Sequence, residues 1–146
     1  MKRLLACFLF SGLLIISGCG GGSTSAPTGS TITINPATFT LTDASATVST
    51  HTQYFTVSVK NLAGASLGNT KIVISSPFAV PDSSGYVQLY NGTTKMDSPF
   101  EAETDNFGIY QLRFDYTSGG ARAYAGNLEA RSGSAFGTAS FSIAAQ

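Results

Sequence analysis

From Ser30 onward the chain consists of short stretches that alternate apolar and polar residues, separated by turn-forming residues about every eight to twelve positions. In the clearest stretch, His51–Lys60, the side chains of Phe55, Val57 and Val59 fall on one side. Because successive side chains of a strand point to opposite faces, this pattern gives one buried and one solvated face. No stretch shows a helical period of useful length. The spacing predicts an all-β protein, a sandwich or barrel of seven to nine strands.

Each predicted strand ends at a turn signal. The strands are Thr31–Ile34, Phe39–Leu41, His51–Lys60, Thr70–Ser75, Tyr86–Tyr90, Phe100–Thr104, Ile109–Tyr116, Tyr124–Ala130 and Phe136–Ile143. The second of these is expected to continue the first after a kink at Asn35-Pro36. Asn91-Gly92 is a dipeptide typical of tight hairpin turns, so we also expect a hairpin within residues 86–98.

The first eighteen residues are organised like a secretory signal. Lys2 and Arg3 precede Leu4–Ile16, a largely apolar run of about thirteen residues. A membrane-spanning helix needs about 20 apolar residues, so a cleaved signal is favoured over the alternative, an uncleaved transmembrane anchor.

The segment Ile16-Ser17-Gly18-Cys19 resembles the lipobox of bacterial lipoproteins. This resemblance implies cleavage between Gly18 and Cys19, a lipid on the Cys19 thiol and acylation of its new amine. Gly20, in place of Asp, resembles the enterobacterial pattern for sorting to the outer membrane. We therefore expect a signal peptide at 1–18, a lipidated cysteine and Gly/Ser-rich tether at 19–30, and a folded domain at 31–146. The protein would be anchored in the cell envelope, at the outer membrane, with its periplasmic or surface orientation open.

Charge and cysteine content restrict the partners and the folding mechanism. The only cysteines are Cys7, which leaves with the signal, and Cys19, so the domain is expected to fold without a disulfide. Loss of Lys2 and Arg3 leaves six basic and eight acidic side chains, a net charge of −2. Such a domain lacks the basic face of a nucleic-acid binder, and its contact with the membrane would rest on acyl chains.

One stretch reads YFTVSVKNLAGASLGNTKIVI, and a second reads ETDNFGIYQLRF and continues into two further strands. Together they resemble bacterial immunoglobulin-like domains of the intimin and invasin type. The resemblance implies an Ig-like antiparallel β-sandwich. Within it, Asp105 and Gly108 would form a tight turn, and Tyr110 would donate a tyrosine-corner hydrogen bond back to that turn.

The side chains offer little for catalysis or metal chemistry. His51 is the only histidine and no G-x-S-x-G motif occurs, so we expect no enzyme and no cofactor. One histidine without a free thiol is too few ligands for zinc. Carboxylates of the acidic run could hold Ca²⁺, although a solvated strand face is the favoured interpretation. The run comprises Asp97, Glu101, Glu103 and Asp105.

Tyrosines are the remaining candidates for contact with a ligand. Tyr86 and Tyr90 share one face of a short strand, and Tyr54 and Tyr124 could join them in stacking on sugars, although cross-strand packing explains them as well. The leading hypothesis is a lipid-anchored, non-enzymatic module that binds an envelope or surface protein or a glycan, or presents a structural surface. The alternative is an accessory lipoprotein that recognises a glycan or peptide through Ser76–Pro99.

The two cysteines provide a matched test of the lipid anchor. Cys19→Ser should abolish incorporation of labelled palmitate by cells that express the full chain, because the acceptor thiol is lost. Cys7→Ser should leave the labelling intact, because Cys7 lies inside the signal. Labelling that persists in Cys19→Ser would contradict the anchor; it is measured by autoradiography of the immunoprecipitated protein.

Overall fold

The computed structural model describes residues 24–43, 49–76, 85–118 and 124–145, and these residues form two packed β-sheets. The strands are β1 Thr24–Ser25, β2 Thr31–Asn35, β3 Thr38–Asp43, β4 Ser49–Lys60, β5 Thr70–Ser75, β6 Gly85–Asn91, β7 Thr94–Met96, β8 Phe100–Glu103, β9 Ile109–Ser118, β10 Tyr124–Ser132 and β11 Ala135–Ala145. The predicted all-β sandwich is confirmed. The strands outnumber the seven to nine expected, because β1 and β7 are too short to show alternation. Within the described ranges there is no helix that could cross a bilayer.

Sheet A has the strand order β1-β5-β10-β11-β3, with β8 paired to β5. Sheet B has the order β2-β4-β9-β6-β7, so β9 lies at its centre. Most neighbours are antiparallel, but β1 runs parallel to β5, and β3 runs parallel to β11. The antiparallel pairs keep the alternation in register, so apolar faces of the two sheets meet.

Four phenylalanines join the two sheets at the centre of the core. Phe55 and Phe114 come from sheet B, and Phe39 and Phe141 come from sheet A. Ring centroids are 4.9 Å apart for Phe39–Phe55 and for Phe114–Phe141, both edge-to-face. This geometry is the favourable one for aromatic pairs, so the cluster sets how the sheets pack.

The first predicted strand and its expected continuation lie in different sheets. β2 pairs with β4 in sheet B, whereas β3 pairs with β11 in sheet A. The crossing falls at Pro36, which follows a cis peptide bond and has no N–H to offer a sheet. The expectation that Phe39–Leu41 continues the first strand is therefore wrong. One segment instead closes this flank of the sandwich.

The hairpin expected around Asn91-Gly92 is present. Leu89 pairs with Met96 and Asn91 with Thr94, which makes β6 and β7 an antiparallel ribbon on the edge of sheet B. Gly92 has a φ of 61°, in the left-handed region that such a turn requires.

Among the described residues, packing is already present at Thr24, before the predicted boundary at Thr31. β1 pairs with the first two residues of β5, and Ala26 is buried. The Ala26 N–H donates to Ser132 Oγ at 2.8 Å, and the Ser132 hydroxyl donates to the Lys71 carbonyl. Backbone pairing and one serine hold this segment, and neither leaves an apolar pattern in the sequence. The predicted tether over 19–30 is therefore too long at its C-terminal end; residues 1–23, with the signal, Gly18 and Cys19, lie outside the described residues.

Asp105 and Gly108 build the turn that leads into β9. Asp105 Oδ1 accepts hydrogen bonds from the backbone N–H groups of Phe107 (2.8 Å) and Ile109 (2.9 Å). Gly108 has a φ of 75°, and a Cβ added to it would lie 2.9 Å from the Val59 carbonyl oxygen. The turn thus requires glycine for its backbone angle and for close packing against the end of β4.

Tyr110 does not form the expected tyrosine corner. Its side chain is only 7% exposed, and its hydroxyl has no hydrogen-bond partner among the described residues. The Asp105 carbonyl of the preceding turn already accepts from the N–H groups of Asn69 (3.1 Å) and Gly108 (3.0 Å). Burial raises the pKa of Tyr110 to about 12.

Gly108→Ala should destabilise the fold by about 2–4 kcal/mol, since it adds a steric clash to the cost of a left-handed backbone. Gly64→Ala is the matched control. Gly64 has a φ of 83° but nothing within 4 Å of an added Cβ, so only about 1 kcal/mol should be lost. Equal losses in denaturant unfolding would contradict the close packing at Gly108.

Tyr110→Phe should leave the free energy of unfolding unchanged or raise it by about 1 kcal/mol, because it removes a buried hydroxyl that has no partner. The raised pKa also predicts alkaline destabilisation. In the unfolded chain the Tyr110 hydroxyl ionises near pH 10, whereas in the folded protein it keeps its proton to about pH 12. The free energy of unfolding therefore falls as the pH rises between these values. The fall should be smaller in Tyr110→Phe, which lacks this hydroxyl. A loss of stability in Tyr110→Phe at pH 7 would show that the hydroxyl has a partner after all.

Candidate binding surface

The outer face of sheet B carries two tyrosines in register with one arginine. Arg113 on β9 pairs with Tyr54 on β4 and with Tyr90 on β6, so the three residues form one row across the sheet. We call them the tyrosine–arginine row. Their strand neighbours Phe55, Leu112 and Leu89 are buried in the core, which places the row on the opposite face.

Arg113 is held in place from two sides. Its Nε donates to Asp115 Oδ1 at 2.8 Å, and its Nη2 donates to Asp115 Oδ2. The guanidinium carbon lies 4.7 Å from the centroid of the Tyr90 ring, within the range of a cation–π contact. The bidentate pair and the stacking together restrict the rotamers of a long side chain, so the row is ordered before any ligand arrives.

Asp115 is nearly inaccessible although it belongs to the outer face. The exposed fraction of its side chain is 6%, against 32% for Arg113. The Thr52 hydroxyl donates to Asp115 Oδ1 at 2.8 Å, and Gln88 lies opposite in the register. The hydrogen bond to Asp115 raises the pKa of Arg113, which therefore keeps its charge. A buried carboxylate that loses its partner is costly, so Asp115 and Arg113 depend on each other.

The chemistry of the row suits a ligand with flat apolar faces and hydrogen-bonding edges. Tyr54 is 62% exposed, unusually open for a large aromatic residue. Tyrosine rings bind the apolar side of a sugar or a peptide side chain, and the N–H groups of Arg113 that do not bind Asp115 remain donors for oxygen atoms. Within the described ranges, no set of three or more His, Cys, Asp or Glu side chains is placed to hold a metal ion.

Of the four tyrosines predicted as candidates for ligand contact, Tyr124 lies on β10 in sheet A, whereas Tyr54 and Tyr90 belong to the row. The backbone of Tyr86 pairs with Thr117 on the same strand pair; its side chain lies outside the described residues. Sequence reasoning missed Arg113 and Asp115. Their signal was a charged pair spaced i, i+2 on an otherwise apolar strand, where both must point away from the core.

The carboxylates of the acidic run are spread along β8 and its flanks. Glu101 forms an ion pair with Lys71 at 2.7 Å, and both side chains are substantially exposed. The Asp105 carboxylate is bound to the turn amides described above. Asp97 and Glu103 are exposed. The four groups therefore take separate structural positions.

His51 is half-buried near the start of β4. Its Nε2 lies 3.2 Å from Ser49 Oγ, and its ring stacks on Tyr116 with centroids 6.3 Å apart. The histidine thus packs along the sheet.

A shallow groove of about 650 Å³ opens beside the row, between the end of β8 and the β6–β7 turn. Asn69, Asn91, Glu103 and Gln111 line it, and Tyr110 contributes to its wall. Because Gln111 precedes Arg113 by two residues on β9, the groove and the row are adjacent on the strand. A ligand on the row could extend toward these amides.

Comparison with solved structures finds proteins of similar fold. The chain matches no protein-family model and no curated protein sequence. Among solved structures it overlaps the PapD-like domain 7 of human CEP192 with a TM-score of 0.51 and 12% identity, over 84% of this chain and 90% of that one. A conjugative transposon lipoprotein from Bacteroides eggerthii overlaps with a TM-score of 0.45 and 17% identity, over 80% and 98%. The N-terminal domain of PorA gives 0.45 and 17%, over 78% and 96%. The chain folds as an Ig-like, PapD-like β-sandwich.

Proposed function

We propose that this protein is a lipid-anchored, non-enzymatic binding module of the bacterial cell envelope, held at the outer membrane through Cys19. The lipobox-like segment and the Gly/Ser-rich residues after it support the anchor. The resemblance to intimin-type Ig-like domains supports a role in contact rather than catalysis. A fold of this class hosts many functions, so the assignment rests on the surface itself.

The tyrosine–arginine row is the observation that carries the proposal. Arg113 is already immobilised by Asp115 and Tyr90. A ligand that binds there pays little further entropy for ordering this side chain, which favours affinity. The row also lies on the long central strands of sheet B, so its geometry is supported by the core beneath it.

The second candidate is an accessory lipoprotein that recognises a glycan or peptide through Ser76–Pro99. Tyr90 and the β6–β7 hairpin come from this region, and they form one side of the row. Tyr54 and Arg113 come from outside it. A ligand held by the hairpin alone would not depend on Tyr54, so this residue separates the two candidates.

Glycan and peptide arrays probed with the full chain, purified in detergent, test the proposal. Tyr54→Ala should reduce binding to the selected ligand about tenfold, which corresponds to about 1.4 kcal/mol and is typical of a lost aromatic stack. Phe136→Ala is the matched control, since Phe136 is a 45% exposed aromatic residue under Arg131 but lies on sheet A. Its binding should be unchanged.

Binding that withstands Tyr54→Ala but is lost in Tyr90→Ala would favour the hairpin region alone. Binding lost equally in Tyr54→Ala and Phe136→Ala would contradict a site on sheet B. If no array ligand is selected, cross-linking in intact cells at position 54 tests for a protein partner. The absence of both array ligands and cross-links would contradict a binding role for the row.

A further inference from the structure

The first described residues lie at one end of the sandwich, which we call the entry end. Thr24 pairs with Thr70 at the start of β5, and Thr31 pairs with Lys60 at the end of β4. The loop between β4 and β5 and the Asp105–Gly108 turn therefore lie at this end. They are joined to each other, because the Val59 N–H donates to the Gly108 carbonyl at 2.9 Å.

The entry end carries the two most exposed of the large apolar side chains that the structure describes. Leu62 is 83% exposed and Phe107 is 74% exposed. Leu62 lies three residues after Val59, and Phe107 directly precedes Gly108, so the two flank the same backbone hydrogen bond. Leu62 also lies beside Gly29, five residues after the chain enters at Thr24.

Neither side chain is needed to form its turn. The first turn is closed by Asn61, whose Oδ1 accepts from the Ala65 N–H at 2.9 Å. The second is closed by the Asp105 carboxylate and the backbone of Gly108. Turn tips are usually polar, and an isolated exposed apolar residue is common on any protein. Here two of them, Leu62 and Phe107, lie on adjoining turns at the same end of the domain. We call this pair the apolar tip.

The distance from the predicted lipid site limits what this tip can contact. Cys19 precedes Thr24 by five residues, which span at most about 18 Å even when fully extended. A lipid on Cys19 therefore keeps the entry end within this distance of the bilayer surface.

Resting on the lipid anchor of the proposed function, we propose that the entry end docks on the bilayer and that Leu62 and Phe107 insert at the lipid–water interface. This contact would rest on apolar side chains. The domain has a net charge of −2, so anionic lipid does not attract it and is not required. Tyr54 lies six residues before Lys60 on β4, about 20 Å from this end. The tyrosine–arginine row is then held clear of the headgroups and accessible to a partner.

The absence of tryptophan from the sequence allows a direct test. Leu62→Trp, Phe107→Trp and Tyr54→Trp each introduce a single tryptophan at an exposed position. The full-length lipidated chain is reconstituted into phosphatidylcholine vesicles with brominated acyl chains, which quench tryptophan at contact. Emission of Leu62→Trp and Phe107→Trp should shift to the blue and lose most of its intensity. Emission of Tyr54→Trp should resemble that of the protein in vesicles without bromine.

Flotation of the same vesicles in a density gradient measures separately whether the protein is attached to the membrane. Protein that floats but shows no quenching at Leu62→Trp or Phe107→Trp retains the anchor and overturns the docking. Equal quenching at all three positions also overturns it, since the domain would then lie on its side. Protein that does not float overturns the anchor and the docking together. Flotation with quenching confined to the two turn positions supports both.

Discussion

The packing of four phenylalanines between the sheets is the contact on which the rest of the structure depends. Phe39 and Phe141 from sheet A meet Phe55 and Phe114 from sheet B in edge-to-face pairs. Because side chains alternate along a strand, committing Phe55 and Phe114 to the core commits their neighbours to the outer face. A slip of one residue in β9 would bury Arg113 and expose Phe114, so the core selects a single register.

This register also assembles the tyrosine–arginine row. β9 places Leu112 and Phe114 inward and Arg113 and Asp115 outward. The core therefore positions the site, and the row needs few contacts of its own to be ordered. Asp115 contributes the remaining restraint, because it holds the guanidinium bidentately while Thr52 holds the carboxylate. A site on a central strand is more rigid than one on a loop, which suits recognition by stacking.

Anchor, tip and row form one arrangement along the long axis of the sandwich. In the proposed arrangement, the lipid on Cys19 joins the chain five residues before Thr24, Leu62 and Phe107 are exposed at the entry end, and the row lies partway along β4. A short connection combined with an apolar tip would fix the orientation of the domain as well as its distance from the bilayer. Without the tip, lipid alone would leave the domain free to tilt, and the row would face the partner only part of the time.

Local patterns in the sequence determined the fold class, nearly every strand, the inward residues of β4 and the β6–β7 hairpin, because alternation and turn chemistry act between near neighbours. The tight turn at Asp105–Gly108 was likewise predicted from local sequence. Tertiary structure alone decided that β2 and β3 lie in different sheets, that Thr24–Ser25 pairs with β5, and that the Tyr110 hydroxyl finds no partner among the described residues. It also decided the candidate site. Tyr54, Tyr90 and Arg113 are far apart in the chain, and only the strand order β4-β9-β6 brings them into one row. That order follows from how two apolar faces close over a common core, a long-range condition that no short stretch of residues encodes.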